Sequence, residues 1–210
     1  MTFATEVSTS DLTPNLTPVL ARDAKARRVV VLKTERLVLR APSHADVPAM
    51  VALAGDRRVA ENTTRIPHPY SAEDADGFID SINENGGETV FTIELDGALI
   101  GMCGIDLRRD GAELGYWLGV PFWGRGYATE VARAMIDYAF GKLGHEVLHS
   151  GARVSNPASR RVLEKCGFQW TGVQLCRIRA INSAAPIDRF RLDSRLWASL
   201  KAWGRERQLA

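Results

Sequence analysis

Val120-Pro121-Phe122-Trp123-Gly124-Arg125-Gly126-Tyr127-Ala128-Thr129 is the stretch on which the fold turns, because the hydrophobic period changes across it. Before it, Thr89 to Leu95, Ala98 to Leu107 and Ala112 to Val120 read as strands, broken by Asp96-Gly97 and by Arg108 to Gly111. Asp-Gly between two such runs is a strong hairpin signal, so an antiparallel meander of three strands is expected. After it, Ala128, Val131, Ala132, Met135, Ile136, Ala139 and Phe140 make one helical stripe, closed by Gly141 and Gly144. Val147 to Val154 reads as another strand, and a strand, a helix and a strand in this order require a crossover between parallel or nearly parallel strands. The stretch therefore leads into a helix N-terminus, where backbone N–H groups lack partners and the dipole favours an anion. Gly124 and Gly126 let a ligand approach the backbone, and Arg125 and Arg133 add positive charge. A phosphate-binding turn explains this better than an ordinary glycine turn.

Further along the chain, Asn156-Pro157 starts a second helix, with Asn as cap and Pro at the first helical position, and Gly167 ends it. Val173 to Arg179 and Ile187 to Leu192 pair as a last hairpin, before a tail bearing Trp and Arg. Upstream, Val29 to Leu32 and Leu37 to Leu39 are short strands. A helix capped by Ser43 or Asp46 follows, with Val47, Met50, Val51 and Leu53 as its apolar face. Pro67 and Pro69 exclude a helix between them. Ser71 and Asp74 then carry a capping-box signature ahead of Ala75, Phe78, Ile79 and Ile82, and Gly86-Gly87 ends that helix. Residues 1 to 28 lack apolar periodicity and read as a mobile arm, leaving 29 to 210 as a single domain.

Composition narrows the function. The chain has 210 residues, 45% hydrophobic and 25% charged, enough for one full-sized core without staples. Its 27 basic and 25 acidic residues give a formal +2, which offers no case for nucleic acid or a membrane surface. Cys103, Cys166 and Cys176 are far apart and form no metal-ligand pattern, which points to a reducing cytoplasm. No apolar run approaches the ~18 residues a bilayer span needs. Gly124-x-Gly126 is part of a dinucleotide fingerprint, but the third glycine is missing and Glu146 precedes its strand instead of following it. A P-loop fails because no Gly-Lys-Ser/Thr follows.

Three ordered motifs resemble the GCN5-related N-acetyltransferases, the GNAT family, most closely the branch of RimJ and RimL. They are Ala112-Glu113-Leu114-Gly115-Tyr116-Trp117, the loop Trp123 to Glu130, and Asn156-Pro157-Ala158-Ser159-Arg160-Arg161-Val162-Leu163-Glu164-Lys165-Cys166-Gly167-Phe168. Thr34 to Arg40 is similar to the family's first strand. The resemblance implies an α+β fold with a mixed, mostly antiparallel sheet flanked by helices, whose fourth and fifth strands splay around acetyl-CoA. It places the pyrophosphate on Arg125, Gly126, Tyr127, Ala128 and Thr129, with Asn156 and Arg161 also touching the cofactor. The backbone at Leu118 to Val120 is expected to pair with the pantetheine and polarise the thioester. A neutral amine then attacks, and a fixed backbone donor meets the developing oxyanion. Such a route needs no covalent nucleophile, in keeping with the scattered His44, His68, His145 and His149.

Two departures stand out. Trp123 replaces the family's opening Gln or Arg, and Leu163 stands where many relatives carry a tyrosine that protonates the thiolate. Asn156, Ser159 or water is left for that task, helped by a thiol pKa of roughly 8.5. Glu113 is either the general base or a structural hydrogen-bond partner. Tyr70 and His68 are candidate acceptor contacts. The reading is a cytoplasmic N-acetyltransferase, monomer or homodimer, acting on a small amine or a protein N-terminus. The alternatives are a non-catalytic acyl-CoA-binding module and a nucleotide-dependent oxidoreductase.

Overall fold

A computed structural model describes residues 30–84, 89–108 and 111–206 of the chain. Residues 1–28, the Gly86-Gly87 stop and the middle of the Arg108 to Gly111 turn lie outside the described residues. Eight strands form one sheet in the order β1-β2-β3-β4-β5-β6-β8-β7. These are β1 (Leu32–Lys33), β2 (Val38–Arg40), β3 (Val90–Leu95), β4 (Ala98–Arg108), β5 (Gly111–Leu118), β6 (Val147–Arg153), β7 (Gln169–Ile178) and β8 (Ser183–Asp193). The helices are α1 (Val47–Ala54), α2 (Arg57–Ala60), α3 (Ala72–Glu84), α4 (Tyr127–Gly141), α5 (Pro157–Lys165) and α6 (Ser194–Glu206).

The β3-β4-β5 meander is antiparallel throughout, as its turn residues require. Asp96 and Gly97 both take positive φ, 51° and 80°, matching the twist of the strands they join. β5, α4 and β6 make the crossover, and β5 and β6 form the sheet's parallel pair. The α4 stripe is buried at Val131, Ala132, Met135, Ile136 and Ala139. It packs with Leu163 and Cys166 near α5 onto Ile105, Leu114 and Leu148 of the sheet. A second cluster joins Val47, Met50, Ala75 and Ile79 of α1 and α3 to Leu99 and Met102 of β4. Met102 and Cys103 are consecutive yet belong to different clusters, so helices cover both faces of the sheet.

Three expectations need correction. β5 stops at Leu118, not Val120, because Gly119 opens a 3-10 turn over Val120–Phe122 with Pro121 inside it. Proline has no N–H to donate to the ladder. The C-terminal tail is helix α6, whose Trp197 is buried and donates through Nε1 to Asp137 on α4 at 2.8 Å. Of the first expected strand, Val29 lies outside the described residues, Val30 and Val31 are unpaired, and pairing begins at Leu32 and runs on to Lys33.

Candidate active site

The central geometry is a gap in the sheet. β5 and β6 pair only from Ala112 to Leu114 with Leu148 to Ser150, although both strands run on, to Leu118 and Arg153. On the other edge of β5 the ladder with β4 is unbroken, and the Gly119 N–H donates to the Ile100 carbonyl at 2.9 Å. In an antiparallel ladder such bonds alternate, so the N–H and C=O groups of Tyr116 and Leu118 point the other way, into the gap. The Leu118 carbonyl accepts from the Trp123 indole Nε1 at 2.7 Å. Trp123, which stands where the family's opening Gln or Arg would be, thus fixes the loop to the strand end.

The loop after β5 closes one end of this gap. Gly124 and Gly126 both adopt left-handed backbone, φ 76° and 82°. Gly126 is the N-cap of α4 and has no side chain to cap it. The N–H groups of Thr129 and Glu130 donate to its carbonyl at 3.1 Å each. Those of Tyr127 and Ala128, earlier in the turn, have no intrahelical acceptor. The loop is braced from outside by the Thr34 to Arg40 segment. Glu130 accepts from Thr34 Oγ1 at 2.5 Å, from the Arg36 N–H at 2.8 Å and from Arg36 Nε at 2.8 Å. Arg36 Nη1 also donates to the Arg125 carbonyl at 3.1 Å, and its guanidinium lies 4.5 Å above the Tyr127 ring. Burial is the largest influence on the Glu130 carboxyl and pushes its pKa up, but the Thr34 and Arg36 bonds outweigh it and hold the net value low.

The N-terminus of α5 forms the facing wall. Asn156 caps the helix, its Oδ1 accepting from the Ser159 N–H at 3.1 Å, with Pro157 next in the chain. The Ser159 hydroxyl lies 3.0 Å from the Tyr116 hydroxyl. Burial drives the Tyr116 pKa far up, so this phenol keeps its proton. Tyr116 and Trp117 face opposite clusters, as strand alternation demands. The pairing of Tyr116 with Ser159 was not visible in the sequence, since the two are distant along it.

A cleft of about 1200 Å³ runs through the gap and onward to the α2–α3 loop. Leu118, Gly126, Tyr127, Ala128 and Thr129 line it, and so do Glu113, Asn156, Ser159 and Arg161. Val120 and Arg125 do not: the first is in the 3-10 turn, and the second offers its carbonyl to Arg36. Tyr70 lines the cleft and His68 does not, nor does any other histidine. Glu113 is ion-paired to Arg189 at 2.6 Å and to Arg108. Cys103 also lines the cleft, but burial pushes its thiol far above the usual range. Leu163 is 0% exposed within the main core.

A family model for the acetyltransferase (GNAT) domain matches residues 36–169. Over 150 residues the chain is 32% identical to the uncharacterized N-acetyltransferase p20 of Bacillus licheniformis, which covers 68% of this chain and 84% of that protein. The fold is similar to that of Mycobacterium smegmatis RimJ in complex with CoA-disulfide, with a TM-score of 0.68 and 20% identity over 84% of this chain and 94% of that one. It is similar also to spermidine N-acetyltransferase from Vibrio cholerae in complex with CoA and spermine, with a TM-score of 0.66 and 20% identity over 78% of this chain and 98% of that one.

Proposed function

The chain belongs to the GNAT acetyltransferase family, an N-acetyltransferase with acetyl-CoA as co-substrate, and from that premise we propose that it passes the acetyl group directly to a primary amine in a ternary complex. The observation that carries this reading is the gap between β5 and β6, with unpaired strand N–H groups along it and the two-glycine turn at its end. Gly124, Gly126 and the N–H groups of Tyr127 and Ala128 hold the pyrophosphate, and Thr129 and Arg161 flank it. Donors already fixed in place lose nothing to reorganisation. The Leu118 and Tyr116 N–H groups pair with the pantetheine arm, and one of them faces the thioester oxygen as negative charge develops there.

Ser159 faces the departing sulfur. The Tyr116 and Ser159 hydroxyls lie 3.0 Å apart, and with the phenol as donor the serine proton turns outward, toward the leaving thiolate. A thiolate with a reference pKa of roughly 8.5 needs only this much help. Asn156 shapes the turn that presents Ser159. Glu113 acts structurally: one of its oxygens is taken by Arg189 and the other by Arg108, so it serves as a tie between strands. Cys103 is buried, and Cys176, which also lines the cleft, has no histidine on the cleft wall to activate it, which favours direct transfer over a covalent route.

The acceptor is a small amine or a protein N-terminus. Two measurements test the reading. Acetyl-CoA at about a hundred times its dissociation constant raises stability by about 2.7 kcal/mol, and NADH and NADPH do not. Thiol release from acetyl-CoA rises when an amine is supplied. Stabilisation by acetyl-CoA with no amine-dependent release across a broad panel of amines and peptides overturns the transfer reading.

A further inference from the structure

Beyond the gap, the cleft continues to a wall whose charges are unequally matched. Arg65 pairs with Asp106, and Arg108 and Arg189 pair with Glu113. Arg153 and Arg179 also line the cleft, and among the described residues neither makes a salt bridge; the Glu61 carboxylate, paired to Arg57, lies close enough to Arg153 to feel its charge. The bonds of both arginines go to backbone carbonyls of the α2–α3 loop. Arg153 Nη1 donates to the Glu61 carbonyl at 2.8 Å, and Arg179 Nη1 to the Arg65 carbonyl at 3.2 Å. The Arg179 backbone N–H donates to the Thr64 carbonyl at 3.2 Å as well.

A guanidinium carries five N–H donors, and one carbonyl satisfies one of them. In Arg153 the Nε is buried with no acceptor. Buried donors are rarely left so, and an unmatched one marks a place where a partner belongs. Arg153 is the last residue of β6, on the stretch that has splayed from β5, so it borders the gap into which Leu118 points. A group held there leaves the rest of a short molecule reaching toward the thioester.

Resting on the acetyl-transfer reading above, we infer that Arg153 and Arg179 form the acceptor subsite for an anionic oxygen group, and that the acceptor is an amine carrying a carboxylate or phosphate a few bonds from its nitrogen. Guanidinium groups suit such groups because their donors form a planar fork that matches two oxygens at once. At this wall a polycation meets the same two charges as repulsion, whereas the Glu73 and Asp74 carboxylates that also line the cleft stand apart on α3.

The test compares matched acceptors at saturating acetyl-CoA, by initial rates of thiol release. 4-Aminobutyrate is set against n-butylamine, and 2-aminoethyl phosphate and spermidine complete the small-molecule arms. A peptide with Glu second in sequence, against its Gln counterpart, separates a protein N-terminus from a free amino acid. The anionic member of a pair is expected to exceed the neutral one in kcat/KM by about tenfold or more, the value of one charge-assisted bond. Carboxylate and phosphate arms then report which anion fits. In R153Q and in R179Q the ratio within the pair collapses, while R153K retains part of it. Stabilisation by acetyl-CoA is measured on each variant to confirm folding. Equal kcat/KM for butylamine and aminobutyrate, a preference for spermidine, or a ratio indifferent to both substitutions overturns the subsite and leaves acetyl transfer standing. No turnover of any probe overturns acetyl transfer, and the subsite falls with it.

Discussion

Replacing Gly126 by alanine isolates what the left-handed turn contributes. Gly126 sits at φ 82°, and a Cβ added there meets nothing nearer than Arg36 Nη2 at 3.5 Å, an ordinary contact. The cost is therefore conformational. A residue with a Cβ pays about 1–2 kcal/mol in this region, partly offset by the 0.4–1 kcal/mol of unfolded-chain entropy that alanine removes, so about 1 kcal/mol remains. For a chain of this size that lowers Tm by about 2–4 °C. Gly97, at φ 80° in the β3–β4 turn with nothing within 4 Å of its Cβ position, is a matched control. G97A should lose the same stability and keep acetyl-CoA affinity. G126A should in addition bind acetyl-CoA about tenfold or more weakly, because relaxing φ tilts the N–H groups of Tyr127 and Ala128 off the pyrophosphate and forfeits at least one charge-assisted bond. Scanning fluorimetry and isothermal titration calorimetry read the two effects separately. Wild-type affinity in G126A, or an equal loss in G97A, refutes the assignment of this turn as the pyrophosphate cradle.

Other consequences can be checked with simpler variants. Y116F should lower kcat about tenfold with the KM for acetyl-CoA unchanged, and Y116F combined with S159A should fall no further than S159A alone, since both changes break one arrangement. The Glu130 carboxyl titrates below its usual value, so its contribution to stability is fully present above the unfolded pKa of about 4.3 and is lost as pH falls through the folded value. In urea unfolding, the stability gap between wild type and E130Q should accordingly be wide at pH 7 and shrink as pH falls below about 4.3. L163Y should not add a better acid. Leu163 is 0% exposed in the main core, so the larger ring costs about 1–3 kcal/mol by overpacking, seen as a lower Tm without a gain in kcat.

What could be read from the sequence was whatever a few neighbouring residues decide. Asp96-Gly97 specified a hairpin, the stripe from Ala128 to Ala139 a helix, and Asn156-Pro157 a capped start, and each is where the residues placed it. Pro121 also carried the information that β5 must end early, but the apolar run to Val120 outweighed it. Helix α6 stands in the sequence reading only as a tail bearing Trp and Arg; its signals are Asp193, whose side chain accepts from the Arg195 N–H, and the Leu196, Trp197, Leu200 spacing. The insertion of β8 between β6 and β7 has no local signature. Within the site, the loop and Asn156 were legible as motif. The Tyr116–Ser159 contact, the brace on Glu130 and the bonds from Arg153 and Arg179 to loop carbonyls were not, since each joins residues far apart in the chain, and backbone acceptors leave no trace in side-chain identity.

The brace also bears on how pieces of such a chain can be exchanged. Thr34 and Arg36 hold Glu130 and the Arg125 carbonyl, so the two-glycine turn is not a portable cassette. A chimera with its junction between residues 40 and 123 would take the clasp from one parent and the clasped turn from another. Recombination that carries both stretches together preserves the fit, and these two segments form one inheritable unit although the whole β3-β4-β5 meander separates them.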